Sequence, residues 1–181
     1  MSIATAVPAG VWNIDTSHTT VNFSVRHMMV SKVRGKFATF GGTIVIAEDP
    51  TASTLEASVD MASVDTGDAG RDEHLRTSDF FDIQTHPTMT FTSTSITASG
   101  GDYELAGDLT IRGVTRPVTF ELELGGVGTY PWGNTRAGFT ATTTINRKDW
   151  GLEYNAVLEG GGVLIGEKVT IELDVEATLA S

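Results

Sequence analysis

The chain has 181 residues, of which 40% are hydrophobic and 19% charged, a composition that fits one globular domain with a single core. It contains no cysteine, which excludes disulfides, thiolate zinc sites and cysteine nucleophiles. The net charge of −11 argues against binding to nucleic acid or to anionic lipid surfaces, and no apolar run is long enough for stable insertion into a membrane.

The first ten residues contain no Lys or Arg and no extended apolar region, so they do not match a secretory signal. We therefore expect a cytoplasmic protein. No linker, repeat or low-complexity block divides the chain. The sequence predicts one domain over residues 1–181, with a flexible segment at 1–10.

Most of the chain alternates apolar and polar residues, the pattern of a strand with one wet face. In the first half this pattern predicts strands over 12–15, 20–27, 33–37, 42–47 and 55–61. In the second half it predicts strands over 88–96, 103–111, 118–124, 136–146 and 166–179. Pro117 is placed at the start of a strand because proline cannot donate to a ladder. Residues 125–133 are predicted to form a glycine-rich loop.

Short turns join these strands, which excludes a parallel sheet with helical crossovers and leaves a sandwich or a barrel. Glycines within and beside the strands favour a curved, closed barrel. The apolar faces mix large phenylalanines with small residues, so the interior is either filled by interdigitating side chains or open to one ligand. The sequence leaves both interiors open. The small inward positions are Ala57, Gly107, Ala137, Ala141 and Thr143.

The segment 66–91 breaks the alternation with concentrated charge, two of the four histidines and the pair Phe80-Phe81. It is predicted to be a helical or looped insertion that covers the barrel. If 70–76 is helical, Arg71, His74 and Leu75 share one face through three- and four-residue spacings.

Several segments, taken in order and spacing, resemble the YceI-like family of polyisoprenoid-binding, lipocalin-like proteins. The matching segments are WNIDTSH at 12–18, VNFSVRH at 21–27, VRGKF at 33–37, RDEHLRTSDFFD at 71–82 with His86-Pro87 and Phe91, YELAGDLTIRGVTRPV at 103–118, and INRKDWGL at 145–152. The resemblance covers almost the whole chain.

This resemblance implies an all-β fold, an extended eight-stranded antiparallel barrel that holds a long-chain lipid such as a polyprenyl compound. The family is not known for catalysis, and no cofactor is expected for this chain. Many relatives are periplasmic and often pair as dimers, which leaves a homodimer open here. The expected function is that of a non-catalytic carrier.

The residues expected to contact the apolar ligand are the large apolar side chains of the inward strand faces and of the insertion. They are Phe23, Val25, Val59, Leu75, Phe80, Phe81, Phe91, Leu109, Ile111, Phe120, Leu122, Phe139 and Ile145. Arg71 and His74 are expected to meet a polar head group, because a guanidinium suits a phosphate. The alternative is that Arg71 and Arg76 pair with neighbouring carboxylates and hold the segment in place.

Two other function classes remain as rivals: a lipid-modifying or hydrolytic enzyme that uses the histidines, and a structural or stress protein with a filled barrel. None of His18, His27, His74 and His86 has metal-ligand spacing to another, so no metal site is expected. The pairs Ser17-His18 and Ser78-Asp79 lack a nucleophile elbow, and adjacent residues on a strand would point to opposite faces.

Overall fold

The computed structural model of the chain describes residues 7–28, 30–129, 133–155 and 165–180. The glycines at 160–162 and the aromatic residues at 130 and 132 lie outside this range. The strands are β1 (Gly10–Ile14), β2 (Thr20–His27), β3 (Ser31–Phe37), β4 (Phe40–Ile46), β5 (Thr54–Asp60), β6 (Val64–Asp65), β7 (Thr88–Ser99), β8 (Asp102–Ile111), β9 (Val114–Thr129), β10 (Thr135–Asn146) and β11 (Ile165–Leu179). The helix α1 spans Ala69–Arg76.

The strands form one antiparallel sheet in the order β1-β4-β5-β7-β8-β9-β10-β11-β2-β3-β6, with an additional pairing of β1 with β11. Both β1 and β2 pair with β11 on one side. On the other side β1 pairs with β4 and β2 pairs with β3, so β1 and β2 act as two halves of one bent strand. The segments β3 and β4 combine in the same way, as do β5 and β6. The result is the predicted closed, eight-stranded antiparallel barrel with a short helical insertion.

Up-and-down connectivity places alternate connections at opposite ends of the barrel. The β2–β3, β6–β7, β8–β9 and β10–β11 connections share one end, which also carries α1 and is called the helix end below. At the far end Trp12 is 1% exposed and its indole N–H donates to the carbonyl of Pro8 at 3.0 Å. Trp12 packs there with Ala137 and Ala177 and closes that end of the interior.

Strand β9 differs from the prediction at both of its ends. It begins at Val114, so Pro117 lies inside the strand, opposite Asp108 of β8. The pairing of β9 with β10 covers only Glu121 to Thr129, so Pro117 has no partner on the β10 side of the strand. The proline is tolerated there because no ladder hydrogen bond is needed on that side. At the other end β9 continues through Thr129 into the expected loop, with Gly126 paired to Gly138 beside a bulge.

Phenyl rings fill the space at two inward glycines. A Cβ built at Gly107 would lie 2.4 Å from Cζ of Phe91, and one at Gly35 would lie 2.3 Å from Cζ of Phe23. Phe91 also meets Phe120 edge-on, with ring centroids 5.3 Å apart. By contrast, Ala57 and Ala141 line an open space, so the interior is filled in one layer and open in others.

We expect Gly107→Ala to destabilise the fold by about 1–3 kcal/mol, because the new methyl would overlap Phe91 and the backbone oxygen of Thr92 at 2.6 Å. Gly126→Ala is the matched control, since nothing lies within 4 Å of its built Cβ. Urea unfolding of both variants measures the difference. Equal stabilities would contradict the packing of Phe91 over Gly107.

Candidate functional site

A cavity of about 450 Å³ occupies the helix end of the barrel interior. Its walls are mainly apolar side chains of β2, β3, β8, β10 and β11, and α1 with the following residues covers one side. The apolar strand residues that line it are Val21, Phe23, Val25, Val33, Phe37, Met89, Ile111, Ile145, Ile165, Val169 and Ile171. The volume falls in the range of small-molecule sites, which are concave and mostly apolar.

Two smaller spaces continue from this cavity toward the far end, with volumes of about 120 Å³ and about 60 Å³. Val21 lines both the large cavity and the 120 Å³ space. Ile96, Leu122 and Phe139 line both of the smaller spaces. Single layers of side chains therefore separate three apolar spaces that follow one another through the barrel.

The predicted ligand-contact residues divide into three groups by position. Those that line the large cavity are Phe23, Val25, Leu75, Phe80, Phe81, Ile111 and Ile145, together with Arg71 and His74. Val59, Leu122 and Phe139 line the 120 Å³ space instead. Phe91, Leu109 and Phe120 line none of the three spaces and are buried in the packed core. Ligand contact by any of them stays a prediction.

Hydrogen bonds at the N-terminal end of α1 hold the start of the helix against the residues that precede it. Asp68 caps the helix by accepting the backbone N–H of Arg71 at 3.0 Å. The buried Asp72 accepts both the N–H of Thr66, at 2.8 Å, and its hydroxyl, at 2.6 Å. Arg71 donates to the hydroxyl and carbonyl oxygens of Thr66 at 2.8 and 2.9 Å. Arg71 is thus positioned by Thr66, not by the carboxylate pairing weighed above.

Arg76 anchors the same helix to the sheet. Its guanidinium donates to the carbonyls of Ala62 and Val64 at 3.2 and 3.4 Å and lies 3.5 Å from Glu73. For Arg76 the expected carboxylate pair is therefore present. Arg76 does not line the large cavity, whereas Arg71 does.

Aromatic contacts hold the outer part of this cover. The ring of His74 packs edge-on against Phe80 and Tyr154, with centroids 5.1 and 4.8 Å apart, and Nε2 of His74 lies 2.8 Å from Asp79. Phe81 packs against Phe37 of β3 at 6.1 Å. Helix α1 and the residues after it thus lie over the cavity as the sequence predicts, with Arg71, His74 and Leu75 on one cavity-facing side.

Arg147 is a cavity residue that the sequence places only in a turn. Its side chain is 4% exposed and donates to four backbone carbonyls, those of Leu152, Tyr154, Ile165 and Gly166. Burial lowers the pKa of this guanidinium, and the nearby Glu167 acts in the opposite direction. Neither periodicity nor spacing distinguishes Arg147; its place within the family-like segment at 145–152 is the only sequence signal.

Basic side chains predominate in the lining of the cavity. Among the described residues this lining includes Arg26, Arg71 and Arg147 with His27 and His74, but no Asp or Glu. The chain as a whole has 23 acidic and 12 basic residues, so the excess of basic residues in this lining is opposite to that of the whole chain. In a low-dielectric cavity such a set favours a ligand with an anionic or strongly hydrogen-bond-accepting group.

Ser17 and His18 lie in a turn between β1 and β2, not on a strand, and their side chains do meet. The Ser17 hydroxyl lies 3.1 Å from Nδ1 of His18, and Asp15 lies 3.0 Å from the same nitrogen. A catalytic relay needs serine and carboxylate on different ring nitrogens, so this geometry does not activate Ser17. Neither Ser17 nor His18 lines any of the three spaces.

Asp15, His18 and Glu176 also bring potential metal-ligand atoms within 4.8 Å of one another. However, Arg136 donates to both carboxylates at 2.6 Å, so a guanidinium already lies between them and offsets part of their charge. Hydrogen bonds from Ser17, Arg136 and His18 hold the pKa of Asp15 well below its usual range. The cluster joins β1, β10 and β11 at the seam of the barrel and is a structural ion network.

Among the described residues, no helix has the length and apolar character needed to span a membrane. The fold and site define a class: a closed antiparallel barrel whose covered interior holds a series of apolar spaces separated by side chains. A family model for the YceI-like domain matches residues 12–177, and the chain belongs to that family.

Similar proteins agree with this assignment. Protein YceI of Escherichia coli O17:K52:H18 is 44% identical over 137 residues, which cover 75% of this chain and 72% of that protein. The crystal structure of Burkholderia cenocepacia BcnA has the same fold, with a TM-score of 0.79 at 23% identity over 90% of this chain and 98% of that one. A polyisoprenoid binding domain from Saccharophagus degradans, implicated in plant cell wall breakdown, gives a TM-score of 0.68 at 18% identity over 93% of this chain and 98% of that one.

We expect Arg136→Gln to destabilise the barrel at neutral pH, and the effect to shrink as the pH falls below about 4. The pKa of Asp15 is lowered in the folded state, so its stabilising contribution is complete above the unfolded pKa and is lost as the pH falls toward the folded pKa. Thermal unfolding of wild type and variant across acidic pH measures this.

Lys148→Gln is the control, because it removes an ion pair with Glu167 in which both side chains are about half exposed. Exposed pairs contribute little, so its effect should be smaller. An Arg136→Gln effect that stayed constant down to pH 2 would contradict the role given to Asp15.

Proposed function

We propose that this protein is a non-catalytic carrier that encloses one long-chain lipid, such as a polyprenyl compound, in the barrel interior. The observation that carries the proposal is the series of three apolar spaces through one barrel, with cationic side chains confined to the lining at the helix end. The Saccharophagus degradans domain with the same fold is described as polyisoprenoid binding, which supports an isoprenoid as the ligand class.

A long tail suits this interior better than a compact ligand. Each methylene removed from water contributes about 0.8 kcal/mol, so a tail gains affinity with length and needs few polar contacts. To pass beyond the 450 Å³ cavity, the tail must displace Val21 and then the layer with Leu122 and Phe139. The junction residues Val21, Leu122 and Phe139 are partly buried side chains.

The head group in this proposal stays at the helix end. Arg71 reaches the cavity with its Nε and Nη2 held by Thr66, which leaves Nη1 to meet a phosphate or carboxylate oxygen. Arg147 contributes a buried positive charge that is held by carbonyls, and His74 faces the same space. The described part of the lining contains no Asp or Glu, although Asp79, outside the lining, already lies 2.8 Å from Nε2 of His74.

Mass spectrometry of an organic extract from protein purified under native conditions tests the proposal most directly. We expect a prenyl or acyl lipid in stoichiometric amount. An extract without lipid, from protein that also fails to bind added polyprenol, would instead favour a structural protein with an unoccupied barrel. Turnover of a bound lipid during incubation would favour the enzyme alternative.

The junction at Val21 predicts a dependence on tail length. Val21→Phe narrows the passage between the large cavity and the 120 Å³ space, so we expect long polyprenyl chains to bind at least tenfold more weakly while short ones keep their affinity. Val45→Phe, at an exposed position on the outside of β4, is the control. Equal losses for short and long chains would show only that the new ring fills the large cavity, and an unchanged affinity for long chains would mean that the tail does not pass Val21.

The head-group role predicts a difference between two arginines of α1. Arg71→Gln should weaken the binding of farnesyl phosphate by about 10- to 100-fold, the range for a hydrogen bond to a charged group, and leave farnesol binding unchanged. Arg76→Gln removes the same charge from the same helix but does not touch the cavity, so it should change neither affinity. Fluorescence titration of both variants with both ligands decides the matter; equal weakening of the two ligands would assign Arg71 a purely structural role.

A further inference from the structure

The β2–β3 hairpin has a charge pattern unlike the rest of the chain. Residues 20–37 contain Arg26, Lys32, Arg34 and Lys36 but no Asp or Glu, although acidic residues outnumber basic ones by 23 to 12 overall. All four cationic residues are exposed. The hairpin is thus a cationic element on an anionic protein.

The register of the hairpin gathers these charges on its outer face. Lys32, Arg34 and Lys36 alternate with inward residues of β3, and Arg26 lies directly opposite Lys32. Like charges directly opposite each other destabilise a sheet. Asp65 lies directly opposite Lys36 across the β3–β6 pair, and Asp65 and Glu172 border the same outer groove as Lys32, Arg34 and Lys36. Among the described residues, however, no carboxylate lies within ion-pair distance of any of the four cationic side chains.

The turn between the strands presents apolar side chains to solvent. Val30 is 82% exposed and Met28 is 46% exposed. Met28 has a positive φ of 53°, a conformation that asparagine or glycine adopts more readily in a turn. An apolar tip flanked by basic strands matches the combination that binds the headgroup and acyl boundary of a bilayer.

We propose that the outer face and tip of the β2–β3 hairpin form a docking surface for a bilayer rich in anionic lipids. Arg26, Lys32, Arg34 and Lys36 would contact headgroup phosphates, and Met28 and Val30 would enter the interface between headgroups and acyl chains. From the net charge of −11 the sequence predicted no binding to anionic lipid surfaces. At physiological salt, charges farther than about 8 Å from a surface are largely screened. Contact with a bilayer therefore depends on the local charge of the hairpin and not on the net charge of the protein.

The position of this surface relates it to the cavity. Arg26 and His27 also line the 450 Å³ cavity, so docking through the hairpin would bring the helix end of the barrel against the bilayer. The inference goes beyond the carrier function and does not require it, because it concerns the outer face of the hairpin. A protein with an empty barrel would dock in the same way.

Flotation with vesicles tests the proposal. The wild-type protein should float with phosphatidylcholine vesicles that contain roughly one phosphatidylglycerol in three lipids, but not with pure phosphatidylcholine, and about 0.5 M salt should release it. Lys32→Gln with Arg34→Gln should weaken this binding about 25-fold, because each basic residue near the surface contributes roughly a factor of five. Met28→Asn with Val30→Thr should also weaken it without a change of net charge.

Each double variant has a matched control at the far end of the barrel. Ala52→Glu with Ala98→Glu changes the net charge by the same amount at two exposed alanines. Val11→Thr with Val45→Thr removes apolar character at two valines that are 46% and 42% exposed. Both controls should bind vesicles as the wild type does.

Three results would overturn the proposal: no binding of the wild type to anionic vesicles, equal losses in the hairpin variants and their controls, or binding to duplex DNA in place of vesicles. Circular dichroism verifies that each variant is folded. Because lipid extraction is a separate measurement, failure of docking and failure of the carrier function are distinguishable.

Discussion

Closure of the barrel depends on β11. One edge of this strand pairs with β10, and the other edge pairs with β1 and β2 in turn. Strand β11 pairs with β10 over most of its length, with β1 through Ala177 to Leu179 and with β2 through Ile165 to Asp174. Without the β1 contact the sheet would have free edges, which invite pairing with other chains. The ion network of Arg136 with Asp15 and Glu176 lies at this seam, where it joins β1, β10 and β11.

Alternation of apolar and polar residues predicted every strand of the described residues except the two-residue β6, because one barrel face is apolar and the other is exposed to water. Strand β2 was predicted with its observed limits, and α1 within one residue of its start. The prediction was wrong at 125–129, where a strand was taken for a loop, and it placed Pro117 at the start of a strand that begins at Val114. Proline and glycine disfavour strands on average, but here a ladder unpaired on one side and a bulge remove the penalty.

The candidate site was harder to predict, since inward orientation does not tell open space from packed space. Phe91 and Phe139 both face inward on strands, yet Phe91 fills the gap at Gly107 and Phe139 borders an open space. That difference depends on which residues lie across the barrel. Arg147 was missed for a related reason: its carbonyl partners come from two chain segments, 152–154 and 165–166, that meet at the end of the paired strands β10 and β11.

The three spaces decrease in volume from about 450 through 120 to 60 Å³ along the barrel. In the proposed carrier function, an interior that narrows in this way would select ligands by the length of their tails. Each further step of a tail requires another layer of side chains to move, so affinity would rise with chain length in stages and stop rising where the displaced layer costs more than the buried methylenes return. Small changes at two junction layers would then shift the selected length in different homologues while the barrel itself stayed the same.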